Sequence, residues 1–157
     1  MIRFGVLEDL EEVNKIRKEV NDLHVEGEPT IFKGFTKDIA DYINEFINTD
    51  NKKLLVCEDN GIICGYAMLE FCIKPESIYR YELKFIDVQE LGVLKGCQSK
   101  GYGKMLINKV IELAKEKGYP KIELNMWAFN ENALKFYEKI GFKTYRRYMK
   151  MDVKPIE

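Results

Sequence analysis

The 157-residue chain predicts a single α+β domain, a mixed and mostly antiparallel central sheet with helices on both faces, in the order β-α-α-β-β-β-α-β-α-β. Three observations lead there. The spacing of apolar residues switches between strand and helix periods along the chain. The dipeptide Asn60-Gly61 sits between two apolar runs, which marks a hairpin and so antiparallel pairing. A strand, a long helix and another strand follow one another over residues 81–126, which requires a crossover and so a parallel pair. With 46% of its residues apolar, a chain of this length buries the core of one domain unaided.

The elements follow in order. Residues 2–6 read as a short strand. Glu8 and Asp9 then supply the acidic first turn of an amphipathic helix whose apolar stripe is Val13, Ile16, Val20 and Leu23. Thr36 is placed to cap a second helix, in which Ile39, Tyr42, Ile43, Phe46 and Ile47 recur at helical spacing before Asn48-Thr49-Asp50-Asn51 stops it. The runs Leu54–Cys57 and Ile62–Ile73 form the arms of the hairpin. After a loop at Pro75, residues 81–93 make a long strand rich in aromatic and β-branched side chains. From Gly101 the helical period returns with Leu106, Val110, Leu113 and Ala114; Lys115 and Lys117 sit in the last turn, and Gly118 and Pro120 end it. Residues 121–126 are a strand, Ala133, Phe136, Tyr137 and Ile140 a short helix ended by Gly141, and Phe142–Met151 a last strand. No internal repeat, linker or low-complexity tract interrupts the domain, which spans residues 1–157.

Charge and cysteine usage narrow the partners. Lysine plus arginine (25) nearly balances aspartate plus glutamate (26), so no overall positive field draws the chain to nucleic acid or anionic lipid. The acidic stretch after Val6 does not suit a secretory leader, and no apolar run approaches the roughly 18 residues needed to cross a bilayer. A cytoplasmic location is expected. Cys57, Cys64, Cys72 and Cys97 form no C-x-x-C pair and read as small core residues in a reducing compartment, with no metal site.

The segment that carries chemistry is Gln98-Ser99-Lys100-Gly101-Tyr102-Gly103-Lys104, between the end of a strand and the start of a helix. The first turn of a helix has backbone N–H groups without partners and a partial positive charge, so phosphate binds there. Gly101 and Gly103 permit close approach of a pyrophosphate, and Lys100 and Lys104 add charge. A Walker loop is excluded because Tyr102 follows Gly101 and Met105 follows Lys104. A Rossmann fingerprint is excluded because Leu106 stands at its third glycine.

With these segments in view, the sequence resembles the GCN5-related N-acetyltransferase (GNAT) superfamily. Leu91-Gly92-Val93 followed by Gln98-x-x-Gly101-x-Gly103 is similar to that family's strand and pyrophosphate loop, [QR]-x-x-G-x-[GA]. Asn130-x-x-Ala133-x-x-Phe136-Tyr137, ending in Gly141-Phe142, is similar to its C-terminal signature. The resemblance implies an acyl-CoA N-acyltransferase fold with acetyl-CoA as cofactor. Leu91 and Val93 would bond the pantetheine arm through their backbones, residues 98–104 would bind the pyrophosphate, Asn130 and Ala133 would lie at the cofactor arm, and Tyr137 would sit beside the sulfur. Gln98 replaces the arginine that the family often carries, a loss of charge that Lys100 or Lys104 offsets.

The implied reaction passes acetyl directly to a small amine, a peptide N-terminus or a lysine. An alkylammonium with a pKa near 10.4 must first lose a proton, so a base is needed. Glu90 and, close behind it, Asp87 are the candidates. Simple alternation sets Asp87 on the face of Leu91 and Val93 with Glu90 opposite, and the bulge that the family has in this strand would change that register. The Val93 N–H would face the thioester oxygen and the Tyr137 hydroxyl would reprotonate the thiolate. His24, Trp127, Tyr42 and Tyr79 are candidate walls of the acceptor site, although a loop histidine and core aromatics are their ordinary roles; Glu26 and Glu28 hint at a cationic acceptor. Two other readings stay open: a regulatory module that binds acyl-CoA without turning it over, and a structural domain whose glycines only make turns. The bare edges of a mixed sheet allow a homodimer.

Overall fold

A computed structural model describes residues 1–154 and contains one five-stranded sheet in the order β1-β2-β3-β4-β5. The strands are β1 (Ile2–Phe4), β2 (Lys52–Asp59), β3 (Ile62–Lys74), β4 (Leu83–Val93) and β5 (Lys121–Leu124). All neighbours pair antiparallel except β4 and β5, which run parallel with a helix between them, so the sheet is mixed as the element order requires. The helices are α1 (Leu10–Gly27, after a 3-10 turn at Leu7–Asp9), α2 (Lys37–Tyr42), α3 (Glu45–Asn48), α4 (Tyr102–Lys117) and α5 (Glu131–Ile140). No helix among the described residues is long and apolar enough to cross a membrane.

Local chemistry sets the boundaries. Asn60 and Gly61 turn the β2–β3 hairpin with φ of 53° and 75°, the positive values that the dipeptide tolerates. The α4 helix starts after Gly101 at φ 86° and ends on Gly118 at φ 71°, whose N–H bonds back to Ala114 and Lys115. Thr36 caps α2 through its Oγ1, which accepts the Ile39 N–H at 3.4 Å. The second helix is nevertheless two pieces: Asn44 Nδ2 donates to the Asp41 carbonyl at 2.9 Å and so competes with the helical ladder where the chain breaks.

The core has two layers. On one face α1, Ile43 and α3 cover the sheet, with Val13, Ile16, Ile43 and Phe46 against Leu54, Val56, Tyr66 and Met68. On the other, Leu106, Val110, Leu113 and Ala114 of α4 lie on Leu55, Ala67, Leu69, Ile86 and Val88. Helices therefore cover both faces. Leu23 departs from the expected stripe; it is exposed because α1 outruns the sheet beneath it. Cys57 and Cys64 are buried and unpaired, as small core residues.

α1 crosses the sheet over Gly92. A Cβ there would stand 2.7 Å from Tyr66 Cε1 and 2.8 Å from Val20 Cγ2, closer than packed carbons approach. Gly92→Ala is expected to cost about 1–3 kcal/mol by overpacking, read as a fall in the chemical-denaturation midpoint with an unchanged slope.

The strand expected over Phe142–Met151 does not form. Residues 142–152 carry no regular structure, and Tyr145, Tyr148, Met149 and Met151 are exposed. Tyr145 stays beside β5, its ring 5.0 Å from Lys121 Nζ, while Tyr148, Met149 and Met151 are almost fully exposed. α5 itself buries no residue completely; it meets α4 where the Phe136 ring faces Gly103.

Candidate active site

The site is organised by a bulge in β4. Met68 of β3 faces Glu90 and Leu69 faces Val88, so Gln89 is the extra residue. The insertion resets the alternation. Asp87 pairs with Glu70 and Glu90 with Met68, and both carboxylates lie on the α1 face of the sheet, whereas simple alternation separates them. Gln89 is held on the same face. Its Nε2 donates to Glu70 Oε2, and its Oε1 accepts the Tyr42 hydroxyl at 2.9 Å.

The two carboxylates have opposite surroundings. Glu90 is clamped by Arg17, whose Nε and Nη2 donate to Oε1 and Oε2 at 3.1 Å each; the Tyr66 hydroxyl donates to Oε1 at 2.9 Å. Arg17 is 2% exposed and also bonds Asn14 Oδ1 and the Ile39 carbonyl, which ties α1 and α2 to the bulge. Tyr66 is pushed well above the usual phenol range by burial and by Glu90, with a smaller contribution from Tyr137 nearby. Among the described residues no cation is bonded to Asp87, and Lys74 only partly offsets its surroundings. Burial first, then the charges of Glu70 and Glu123, push its carboxyl up to about 6. Glu123 faces Asp87 across the β4–β5 ladder, so Glu70, Asp87 and Glu123 form one row across three strands.

Beyond the bulge β4 and β5 part. Their pairing ends at Val88↔Leu124, so Gln89–Val93, with Leu91, Gly92 and Val93 among them, have no strand on that side among the described residues. The opening offers unpaired main-chain groups to an extended ligand arm. At the start of α5, Asn130 Oδ1 accepts the Ala133 N–H at 3.1 Å and so caps the helix. Tyr137 stacks edge-on against Phe136 and Phe142, with ring centroids 5.1 and 5.5 Å away. Burial alone pushes its phenol up to about 12, so it keeps its proton at neutral pH.

The loop below the opening suits an anion. Ser99 and Gly101 both have positive φ, 68° and 86°, and the first turn of α4 holds no acidic residue and no side-chain cap. Its N–H groups stay open to a ligand, with exposed Lys100 and Lys104 beside them. Gln98 reaches back to the Val93 carbonyl at 3.5 Å, and the Lys95 N–H bonds Glu19 of α1 at 3.1 Å, so the loop is anchored to the sheet and to α1. Tyr102 turns away and donates to Asp59 Oδ2 at 2.5 Å. This donor set fits a pyrophosphate.

The candidate acceptor walls are only partly assembled. His24 packs edge-on against Phe32 at 5.0 Å, and Phe32 against Trp127 at 5.0 Å, an aromatic cluster built from α1, the following loop and the chain after β5. Tyr42 joins the bulge through Gln89. Tyr79 does not join; it stands 92% exposed in the β3–β4 loop. The residues that sequence reasoning missed are Arg17, Tyr66, Gln89, Glu70, Glu123 and Phe32. Arg17 was marked: it falls beside Ile16, four residues after Val13, on the apolar side of an amphipathic helix.

Comparison with known proteins identifies the family and the fold. The model of the Acetyltransferase (GNAT) family matches residues 17–142. The chain is 31% identical over 102 residues to an uncharacterized N-acetyltransferase of Methanocaldococcus jannaschii, an alignment that covers 65% of this chain and 44% of that protein. It spans about half the length of the curated relatives it matches. A variant of a Bacillus halodurans protein superposes with a TM-score of 0.93 at 22% identity, covering 98% of this chain and 99% of that one. The aminoglycoside N-acetyltransferase AAC(6')-Iy, bound to a bisubstrate analog of CoA and acetylneamine, superposes at 0.76 with 17% identity, covering 99% and 98%. At these identities the two solved structures speak for the fold.

Proposed function

The chain belongs to the GNAT acetyltransferase family, and from that membership we propose that it moves the acetyl group of acetyl-CoA directly to the primary amine of a small cationic molecule, with Asp87 as general base and Tyr137 as general acid. The observation that carries the reading is the contrast at the bulge. Glu90 has its oxygens occupied by Arg17 and Tyr66, while Asp87 faces the same side unbonded, raised to about 6. A base with a value near working pH combines an ionised resting form with a useful appetite for protons.

In this reading the first turn of α4, with Ser99, Gly101, Gly103, Lys100 and Lys104, holds the pyrophosphate of acetyl-CoA. The unpaired Leu91 and Val93 backbones hold its extended arm. When bound, acetyl-CoA supplies an activated acyl carbon. Asp87 takes the ammonium proton, directly or through one water, which frees the nitrogen lone pair for attack. The Val93 N–H offers a hydrogen bond to the carbonyl oxygen as negative charge develops there. Tyr137, neutral and shielded by Phe136 and Phe142, delivers a proton to the departing sulfur. In the row of Glu70, Asp87 and Glu123, Lys121 pairs with Glu123 at 3.0 Å and Gln89 donates to Glu70; the remaining negative charge, with the His24–Phe32–Trp127 aromatics, favours a cationic acceptor. An aminoglycoside acetyltransferase among the similar folds is consistent with that class.

The test is release of free CoA from acetyl-CoA across a panel of amines. Cationic small amines are expected to turn over well above neutral amines and peptides. Thermal stabilisation by acetyl-CoA without CoA release from any amine would favour a binding module instead. The cofactor position is tested separately with Lys104→Glu. Residue 104 is exposed in the first turn of α4, where a glutamate suits the helix dipole, so the variant is expected to keep its melting temperature. Its affinity for acetyl-CoA should fall about tenfold, measured by calorimetric titration.

A further inference from the structure

A second bulge sits near the start of β3. Cys57 of β2 faces Gly65 and Glu58 faces Ile63, so Cys64 is the extra residue, as Gln89 is in β4. Bulges re-aim side chains beside functional sites, and this one lies next to the turn that leads into the phosphate loop. The Leu94 N–H donates to the Cys64 carbonyl at 2.7 Å, and the Cys97 N–H donates to the Leu94 carbonyl at 2.7 Å. The 3-10 turn Lys95–Cys97 is thus folded back over Cys64, and the Cys97 thiol is near enough to act on the Cys64 thiol as a hydrogen-bond partner.

The two cysteines differ in access and in freedom to move. Cys64 is 3% exposed and fixed in the sheet, whereas Cys97 is half-buried and stands directly before Gln98. Burial first, then Cys97, push the Cys64 thiol above its ordinary range, so it is inert by itself. The turn is lightly held. A Cβ on Gly96 would meet nothing within 4 Å, and the side-chain bonds that anchor the segment are those of Lys95 to Glu19 at 3.1 Å and of Gln98 to Val93 at 3.5 Å. A disulfide is shorter than any contact between free thiols, so closing one here draws the turn, and residues 98–101 with it, towards β3.

We propose that Cys64 and Cys97 form a reversible disulfide that pulls the Gln98–Gly101 backbone away from a bound pyrophosphate and so lowers the affinity for acetyl-CoA under oxidising conditions. The effect on the cofactor rests on the reading of residues 98–104 as its pyrophosphate site. The oxidant is a peroxide. Cys97, the accessible member, loses its thiol proton and its sulfur attacks one peroxide oxygen; the O–O bond breaks, and the departing hydroxide takes that proton and leaves as water. The Cys64 sulfur then attacks the sulfenic sulfur of Cys97. The S–O bond breaks, and the Cys64 proton leaves with the hydroxyl as a second water. Two thiols have lost two electrons and the peroxide has gained them, and a dithiol reverses the change. Cys72 lies near the other end of β3 and takes no part. Because bridge and cofactor compete for one backbone, bound acetyl-CoA must disfavour the bridge by the same factor.

The reduced full-length chain is treated with hydrogen peroxide and quenched. Two of its four thiols are expected to disappear on titration of the denatured protein, with the loss of two hydrogens in mass and a tryptic fragment that joins Cys64 to Cys97. Calorimetric affinity for acetyl-CoA should be about tenfold weaker and return with dithiothreitol. In a dithiothreitol redox buffer, saturating acetyl-CoA should lower the bridged fraction. Cys97→Ser and Cys64→Ala should bind as the reduced native chain does and ignore peroxide, whereas Cys72→Ser should respond like the native chain. Four thiols that persist, a bridge at any other pair, a joined fragment with unchanged affinity, or a loss of affinity that survives in Cys97→Ser would overturn the proposal. Failure of the loop reading looks different: the reduced Lys104→Glu variant would then bind acetyl-CoA as tightly as the native chain, whereas failure of the switch leaves that variant weakened and the native affinity insensitive to peroxide.

Discussion

Asp87→Asn is expected to lower kcat by about 10²–10⁴-fold and, at the same time, to make the protein more stable at neutral pH. The two effects share one cause. Burial, with Glu70 and Glu123 beside it, holds the Asp87 carboxyl at about 6, a good value for a base and a poor one for a folded protein. An unfolded aspartate titrates near 3.9. The folded chain therefore binds more protons than the unfolded chain between about pH 4 and 6, and it loses stability as pH rises through that window. Asparagine cannot ionise and removes the cost. Discounted for the partial exposure of the site, the gain above pH 6 is about 1 kcal/mol, or about 2–4 °C in melting temperature, and it should vanish near pH 4.

The pH–rate profile carries the second half of this expectation. For the native chain kcat/KM should rise with pH to a plateau with a midpoint near 6, and Asp87→Asn should remove that limb. Glu90→Gln should keep it. If Glu90→Gln erased the limb and Asp87→Asn kept it, the base would be the carboxylate that Arg17 holds. A drop in kcat without the gain in stability would mean that Asp87 acts through structure rather than as a strained ionisable group.

The sequence made the framework of this site legible, because that framework depends on local rules. Gly101 and Gly118 bracket α4 since both ends need left-handed backbone, and Asn130 starts α5 since its side chain replaces a missing helical partner. Asn60-Gly61 fixed the hairpin for the same reason. The reach of β5 was less clear. Its ladder stops at Leu124, and the parting of β4 and β5 depends on how two strands twist apart rather than on what residues 125 and 126 are. The orientation of Asp87 against Glu90 turned on a single inserted residue, Gln89, and nothing in the run Val88-Gln89-Glu90 sets it apart from regular alternation. The bulge depends on tertiary partners, Glu70 and Tyr42, that come together only in the fold. The tail failed for a different reason. Its strand pattern is genuine, but residues 142–152 run past the outer edge of β5, free among the described residues, without pairing, and periodicity alone does not set which edge a strand joins.

Arg17 sets the bulge from the other side, and its loss is expected to give the largest drop in stability of any single exchange at the site. The guanidinium is 2% exposed and gives its hydrogens to Glu90, Asn14 and the Ile39 carbonyl. Arg17→Met keeps the apolar bulk but leaves the Glu90 carboxylate beside Tyr66 without its counter-charge. Removing one partner of such a pair costs about 3–5 kcal/mol, and the partial exposure of Glu90 places this case at the lower end, a fall of about 6–12 °C. The cost comes mainly from the stranded charge rather than from the attraction lost. Arg17→Met/Glu90→Gln should therefore recover more than half of it, since the glutamine oxygen still accepts from Tyr66 and no ion is left unpaired. Turnover should follow a different course. The double variant regains stability without the clamp that joins α1 and α2 to β4, so kcat should stay depressed in both. A single variant no less stable than the double would show that water already reaches Glu90, and that the β4 bulge is held by Gln89 and its partners alone.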